Sequence, residues 1–137
     1  MLLIRCPGSG PKRTRTRLES PETPLASHPQ PIMTKVSIHY PNQAGSRFDA
    51  DYYVNVHMPM SISSLGAAIK AVSVEIGVSG ALPGQPPPYA ALCHFVCESA
   101  DAFYSAFMPH AAALQGDMIN YTDIEPIIQI SEIKISR

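Results

Sequence analysis

The chain has 137 residues, 14 of them proline, and a formal net charge of −1, so it has room for one domain and little more. Residues 1–32 carry five Lys or Arg and two Glu (+3), whereas residues 33–137 carry five Lys or Arg and nine Asp or Glu (−4). The acidic remainder argues against nucleic acid as a partner. No apolar run approaches the roughly 20 residues needed to cross a bilayer.

Residues 1–32 are predicted to be a disordered tail, dispensable for folding, because they are basic, rich in proline and poor in apolar residues. Binding of this tail to nucleic acid or to an anionic surface is the alternative. The short apolar run at residues 1–4 precedes Arg5, whereas a secretory signal places its charge first. No export signal is therefore predicted, and a cytoplasmic location is expected.

The folded part is predicted to begin with a strand and a helix. Residues 34–41 alternate apolar and polar side chains, the period-two pattern of a strand. Asp49 suits a helix N-cap, with Phe48 and Tyr53 placed as a hydrophobic staple around it. Pro59 is predicted to break or kink this helix.

Two further strands are predicted on either side of a loop rich in Pro and Gly. Residues 69–78 alternate, residues 83–88 supply the loop, and residues 89–97 are apolar on both faces, which indicates a central strand. Cys93 and Cys97 would lie about 13 Å apart in that strand, beyond the reach of a disulfide. They are predicted to be small buried residues.

A second helix and a last strand complete the predicted domain. Ser99 suits the N-cap, and Phe103 and Phe107 lie on one face of the helix. Pro109 is predicted to interrupt this helix before it resumes. Residues 127–135 alternate Ile with polar residues and are predicted to form the last strand.

The predicted order, β-α-β-β-α-β, is that of a ferredoxin-like α+β sandwich with both helices on one face of the sheet. The other face would be too apolar for water and too polar for a dry core. It would carry His39, Leu92, His94, Gln129, Ser131 and Ile133. A homodimer that packs two such faces together is therefore predicted.

Two blocks of motifs carry a family resemblance. The first contains residues 36–42 (VSIHYPN), 47–49 (RFD), Tyr52, Tyr53 and 57–59 (HMP); the second contains Asp117, 120–126 (NYTDIEP) and 129–132 (QISE). In order and spacing they resemble the EthD family, named for a factor in ethyl tert-butyl ether degradation. The resemblance extends over residues 33–134. Because family members commonly begin where Met33 stands, it also implies that residues 1–32 are an overextended gene start.

The resemblance implies a dimeric α+β barrel that acts in xenobiotic degradation. The implied function is that of an oxidoreductase-type or accessory enzyme for a small apolar or aromatic molecule, alongside a haem monooxygenase system. It does not identify a cofactor. Two other functions stay open, a cofactor-free lyase, isomerase or cyclase that uses the same pocket, and a non-catalytic carrier of small molecules.

His57 and Tyr53 are the candidate catalytic residues. Asp49, Tyr53 and His57 recur every four positions and share one stripe of the first helix. A histidine there can take or give a proton near neutral pH. The structural alternative is that His57 bonds the free carbonyls of a helix end before Pro59.

Tyr40, Tyr52, Asn120, Tyr121 and Asp123 are the candidate ligand-binding residues. The predicted fold brings the first strand, the first helix and the last connector near one end of the sheet, where phenols suit an aromatic ligand. The tyrosines could instead fill the core, and the sequence Asn-Tyr-Thr-Asp could form a turn through side-chain bonds to the backbone.

No metal site and no nucleotide cofactor are predicted. His39 and His94 would lie on adjacent strands, but neither has a Cys, Asp or Glu at ligand spacing, so both are interpreted as hydrogen-bonded interface residues. No glycine-rich phosphate loop follows a strand.

Overall fold

The computed structural model describes residues 32–137, in which four antiparallel strands form one sheet. The strands are β1 (Thr34–Pro41), β2 (Ala71–Ile76), β3 (Tyr89–Cys97) and β4 (Ile127–Glu132). Their spatial order is β2-β3-β1-β4, which places β3 inside the sheet as its apolar sequence predicts. The predicted tail lies outside the described residues, apart from Ile32.

Two strands are shorter than their sequence patterns predict: β2 spans Ala71–Ile76 rather than residues 69–78, and β4 does not reach residue 135. β4 ends at Glu132 rather than at residue 135, because its partner β1 begins at Thr34, which faces Glu132. Beyond this pair one further bond follows, from the Ile133 N–H to the Met33 carbonyl at 2.9 Å. The alternation of Ile and polar residues continues to residue 135, but β1 offers no strand partner beyond Glu132.

The first helix, α1 (residues 50–65), runs through Pro59 without ending there. It consists of an α-helical turn (Ala50–Tyr52), a π-helical turn (Tyr53–His57) and an α-helical part (Met58–Leu65). The predicted N-cap is confirmed, since the Asp49 carboxylate accepts from the Tyr52 N–H at 3.0 Å. A break at Pro59 is not found. The wider π turn relieves the clash between a proline ring and the preceding turn.

The second helical region is interrupted at Pro109, as predicted. It consists of α2 (Ala100–Phe107), a 3-10 turn (Met108–His110), α3 (Ala111–Gly116) and a second 3-10 turn (Asp117–Asn120). Ser99 caps α2 by accepting from the Ala102 N–H at 3.0 Å. Within residues 32–137, none of the helices has the length and the apolar character needed to span a membrane.

The core lies between the helices and one face of the sheet. It is formed mainly by apolar and aromatic side chains of β1, α1, β3, α2 and the segment before β4, among them Val36, Tyr40, Tyr53, Leu65, Cys93, Phe95, Phe103 and Tyr121. The element order β-α-β-β-α-β and this layering are those of a ferredoxin-like α+β fold. We call the opposite face, with Ser37, His39, Leu92 and His94, the open face.

Candidate active site

A cavity of about 120 Å³ lies between the helices and the helix-covered face of the sheet. Most of its wall is apolar and aromatic, built by Ile38, Met58, Leu65, Phe95, Phe103, Phe107, Leu114, Met118, Pro126 and Ile128. Its polar side chains are Tyr40, Tyr53, His57, Ser61, Gln115 and Tyr121. Gln115 and Ile128 are exposed, so the mouth lies between α3 and β4.

His57 is held by a hydrogen bond to Asp117, which does not itself line the cavity. His57 as a whole residue is 8% exposed, and its Nδ1 lies 2.9 Å from Asp117 Oδ2. Because a carboxylate only accepts, Nδ1 carries the proton in this pair, and Nε2 of the neutral ring is the basic nitrogen. The π turn also stacks the rings of Tyr53 and His57, with centroids 5.5 Å apart.

Asp117 accepts from two further side chains. Its Oδ1 receives the Tyr52 hydroxyl at 2.7 Å and the Asn120 amide nitrogen at 2.9 Å. Burial raises the pKa of the Asp117 carboxyl, but hydrogen bonds from Asn120, His57 and Tyr52 outweigh it and hold the pKa below its ordinary value. Asp117 is therefore ionised at neutral pH.

Three buried tyrosines, Tyr40, Tyr53 and Tyr121, line the cavity together with His57. The Tyr121 hydroxyl lies 3.4 Å from His57 Nε2 and 2.9 Å from the Tyr40 hydroxyl. Burial raises the pKa of Tyr40, Tyr53 and Tyr121, because the phenolate is costly away from water. All three hydroxyls are therefore protonated at neutral pH.

These groups form a chain whose direction depends on His57. With the ring neutral, Tyr40 donates to Tyr121, Tyr121 donates to Nε2, and Nδ1 donates to Asp117. When Nε2 gains a proton it becomes a donor, so Tyr121 must turn its hydrogen away from the ring. The Tyr121 hydroxyl then donates to Tyr40 or to a ligand oxygen.

Arg47 anchors the segment that carries Asp117 and Tyr121. Its guanidinium donates to the Ile119 carbonyl at 2.7 Å, and its backbone N–H donates to Asp123 Oδ1 at 2.7 Å. The Asp49 N–H also donates to the Tyr121 carbonyl at 2.7 Å. The loop before α1 thus positions both residues beside His57.

The predicted site residues fall into three groups. Tyr40, Tyr53, His57 and Tyr121 meet at the cavity. Tyr52 and Asn120 do not line the cavity, but both donate hydrogen bonds to the Asp117 carboxylate. Asp123 is exposed, bonds the Arg47 backbone and does not line the cavity.

Asp117 is the site residue that sequence reasoning missed. Its position three and four residues before Asn120 and Tyr121, in the second family-like block, was the available signal. The alternative reading of His57 as a helix-end residue does not match the structure, because α1 continues to Leu65 and the ring bonds Asp117.

The histidines of the open face lie apart from the cavity. The rings of His39 and His94 have centroids 5.7 Å apart, and His94 Nδ1 bonds the Ser37 hydroxyl at 2.9 Å. Burial lowers the pKa of His94. In the described part of the chain, no three His, Cys, Asp or Glu side chains are grouped as metal ligands would be.

The fold and the cavity define a ferredoxin-like α+β protein with a site of buried histidine and tyrosine side chains. The chain belongs to the EthD family, since the sequence profile of the EthD domain matches residues 23–125. An EthD-like protein of Ralstonia eutropha JMP134 has 46% identity and a TM-score of 0.74, with 77% of this chain and 96% of that chain covered.

More distant structures share the fold. An ethyl tert-butyl ether degradation (EthD) family protein of Bacillus halodurans C-125 has 16% identity and a TM-score of 0.58, covering 74% of this chain and 99% of its own. A hydroxynitrile lyase of Passiflora edulis has 8% identity and a TM-score of 0.56, with 79% of this chain and 99% of that chain covered. No curated protein matches the sequence.

Proposed function

We propose that this protein is an enzyme that moves a proton on a small, largely apolar molecule. The observation that carries the proposal is the continuous chain from Asp117 through His57 and Tyr121 to Tyr40, which reaches an apolar cavity. A base, its orienting carboxylate and neutral hydrogen-bond donors are the parts that general acid–base catalysis needs.

The basic step follows from the arrangement of these groups. Nε2 of neutral His57 takes a proton from the substrate, and the electron pair of the broken bond moves onto the substrate oxygen. The Asp117 carboxylate stabilises the resulting imidazolium, while the Tyr121 hydroxyl donates to that oxygen. Returning the proton from Nε2 to another carbon of the substrate completes an isomerisation. In an elimination, the electron pair returns from the oxygen, the bond to a leaving group breaks, and the leaving group takes the proton from Nε2.

This proposal favours one of the functions that the sequence left open. A lyase, isomerase or cyclase without a cofactor uses only a base and donors, which the cavity supplies through His57 and the tyrosines. The oxidoreductase-type function and the association with a monooxygenase system rest on the family resemblance. A non-catalytic carrier would use the same apolar walls, and turnover separates it from an enzyme.

The test is solvent deuterium incorporation into small carbonyl compounds, followed by NMR. We expect exchange with the wild-type protein and a loss of about 100-fold or more in His57→Gln, the size of a typical general-base contribution. His110→Gln is the matched control, because His110 is exposed and does not line the cavity. Ligand binding with no exchange by the wild-type protein would favour a carrier.

We also propose that the protein is a homodimer that packs two open faces together. The support is the apolar character of this face, on which Leu92 is half-buried and Ile127, the β4 neighbour of His39, is 57% exposed. A second copy supplies apolar cover for these side chains.

A further inference from the structure

We infer that the substrate of this site is a neutral ketone about one ring in size, bound with its oxygen at the Tyr121 hydroxyl. The inference rests on the proposed acid–base function and adds size, charge and orientation to it. Each of these comes from a separate feature of the cavity.

The size follows from the cavity volume. The space of about 120 Å³ is close to that of an apolar cavity of about 150 Å³ that holds a benzene molecule. The walls resist enlargement, because Phe95 and Phe103 are buried and the Phe103 and Phe107 rings stack with centroids 5.6 Å apart. A fused two-ring molecule with its oxygen at Tyr121 would have to displace these side chains or leave its second ring in the mouth between α3 and β4.

The charge follows from the composition of the wall. Among the described residues that line the cavity, none is Lys, Arg, Asp or Glu. A ligand carboxylate would therefore lose its water without gaining a lysine or arginine partner, and Asp117 behind His57 would repel it. A ligand ammonium would find no carboxylate on the cavity surface itself. Neutral molecules are the class that this wall accepts.

The orientation follows from where the polar groups meet. His57 Nε2 and the Tyr40 hydroxyl both contact the Tyr121 hydroxyl, at 3.4 Å and 2.9 Å. A carbonyl oxygen that accepts from Tyr121 takes the hydrogen that Tyr121 otherwise donates to Nε2. This frees the Nε2 lone pair and brings the carbon beside the carbonyl toward it. Nε2 then takes the proton of that C–H bond, the electron pair forms the enolate, and the proton returns to carbon.

The test compares four probes by NMR titration of the wild-type protein: cyclohexanone, methylcyclohexane, cyclohexanecarboxylate and 1-decalone. We expect cyclohexanone to bind at least about 100-fold more tightly than the carboxylate, from the cost of burying an unpaired charge. We expect 1-decalone to bind at least about tenfold more weakly than cyclohexanone, because it overfills the cavity. Equal or tighter binding of either compound, or no binding of cyclohexanone, overturns the inference.

Tyr121→Phe tests the bound orientation. The variant should weaken cyclohexanone by roughly three- to tenfold relative to methylcyclohexane, which has no oxygen to lose a hydrogen bond. An equal change for both probes overturns the orientation. Deuterium exchange at the carbons beside the cyclohexanone carbonyl reports separately on function. If the probes bind as expected but none exchanges, the ligand class stands and the acid–base proposal is refuted. If 1-decalone or the carboxylate exchanges as fast as cyclohexanone, the acid–base proposal stands and the ligand class is refuted.

Discussion

His57 and Asp117 are separated by 60 residues in the sequence and joined by a contact of 2.9 Å between Nδ1 and Oδ2. The contact links α1 to the turn that follows α3. It fixes which ring nitrogen carries the proton and leaves the other one toward Tyr121, 3.4 Å away. The chemistry of the cavity depends on this pairing more than on either residue alone.

Replacing His57 with Gln should remove function while leaving most of the stability. Glutamine keeps the approximate size and one hydrogen bond but cannot exchange a proton near pH 7. We expect the free energy of unfolding, measured in urea, to change by about 1 kcal/mol or less. If stability falls by more than this and exchange activity persists, His57 is structural, and Tyr40 and Tyr121 become the candidates.

Asp117→Asn should destabilise the protein at neutral pH by about 1 to 3 kcal/mol, since Asp117 accepts three hydrogen bonds. The folded protein holds the pKa of Asp117 below its ordinary value of 3.8, so this stabilisation is complete above that value. It is lost as the pH falls from 3.8 through the lower pKa of the folded state.

Urea unfolding between pH 7 and pH 2 measures this dependence. The difference in unfolding free energy between wild type and Asp117→Asn should shrink as the pH falls. Asp51 is an exposed carboxylate of α1, so Asp51→Asn should differ little from wild type at any pH. A difference that stays constant down to pH 2 contradicts the assignment of the stabilisation to the ionised carboxylate.

The Tyr40 and Tyr121 hydroxyls should be energetically coupled. Both side chains are buried and the hydroxyls lie 2.9 Å apart, so either single change to Phe leaves one buried hydroxyl short of a partner. Each single variant should lose about 1 to 2 kcal/mol, and the double variant should lose less than the sum. A thermodynamic cycle of unfolding energies tests this, and strict additivity would refute the coupling.

Arg47→Gln should reduce both stability and activity, although Arg47 does not line the cavity. Its guanidinium holds the Ile119 carbonyl at 2.7 Å, between the positions of Asp117 and Tyr121. We expect a loss of about 1 to 2 kcal/mol in unfolding energy and a lower kcat. Lys134→Gln, which removes an exposed cation paired with Glu132, should change neither. Unchanged kcat in Arg47→Gln would show that the turn holds its place without this anchor.

Leu92→Lys should dissociate the proposed homodimer. Leu92 lies on the open face between His39 of β1 and Glu75 of β2, so a lysine there is tolerated in a monomer but would be buried between two packed sheets. Sedimentation at micromolar concentration should show a dimer for the wild type and for Val78→Lys, in which the replaced side chain is 91% exposed. A monomeric wild-type protein without concentration dependence refutes the dimer.

Local features of the fold could be predicted from the sequence because they depend on neighbouring residues. The caps at Asp49 and Ser99 act over three residues, and the strand pattern of residues 34–41 repeats every two. The fate of Pro59 could not be read in this way. Whether the helix ends before Pro59 or continues through a π turn depends on the burial of side chains after that turn. These are Met58, Ser61 and Leu65.

The sequence by itself determined the strands, the capped helices, the family and the concentration of tyrosines and histidine that the cavity uses. Only the tertiary structure decided that Asp117 orients His57, that Tyr40 pairs with Tyr121 across 81 residues, and that Asp123 bonds Arg47 away from the cavity. The physical reason is that hydrogen bonds between distant residues depend on where packed segments meet. Side-chain type and spacing leave that meeting point open.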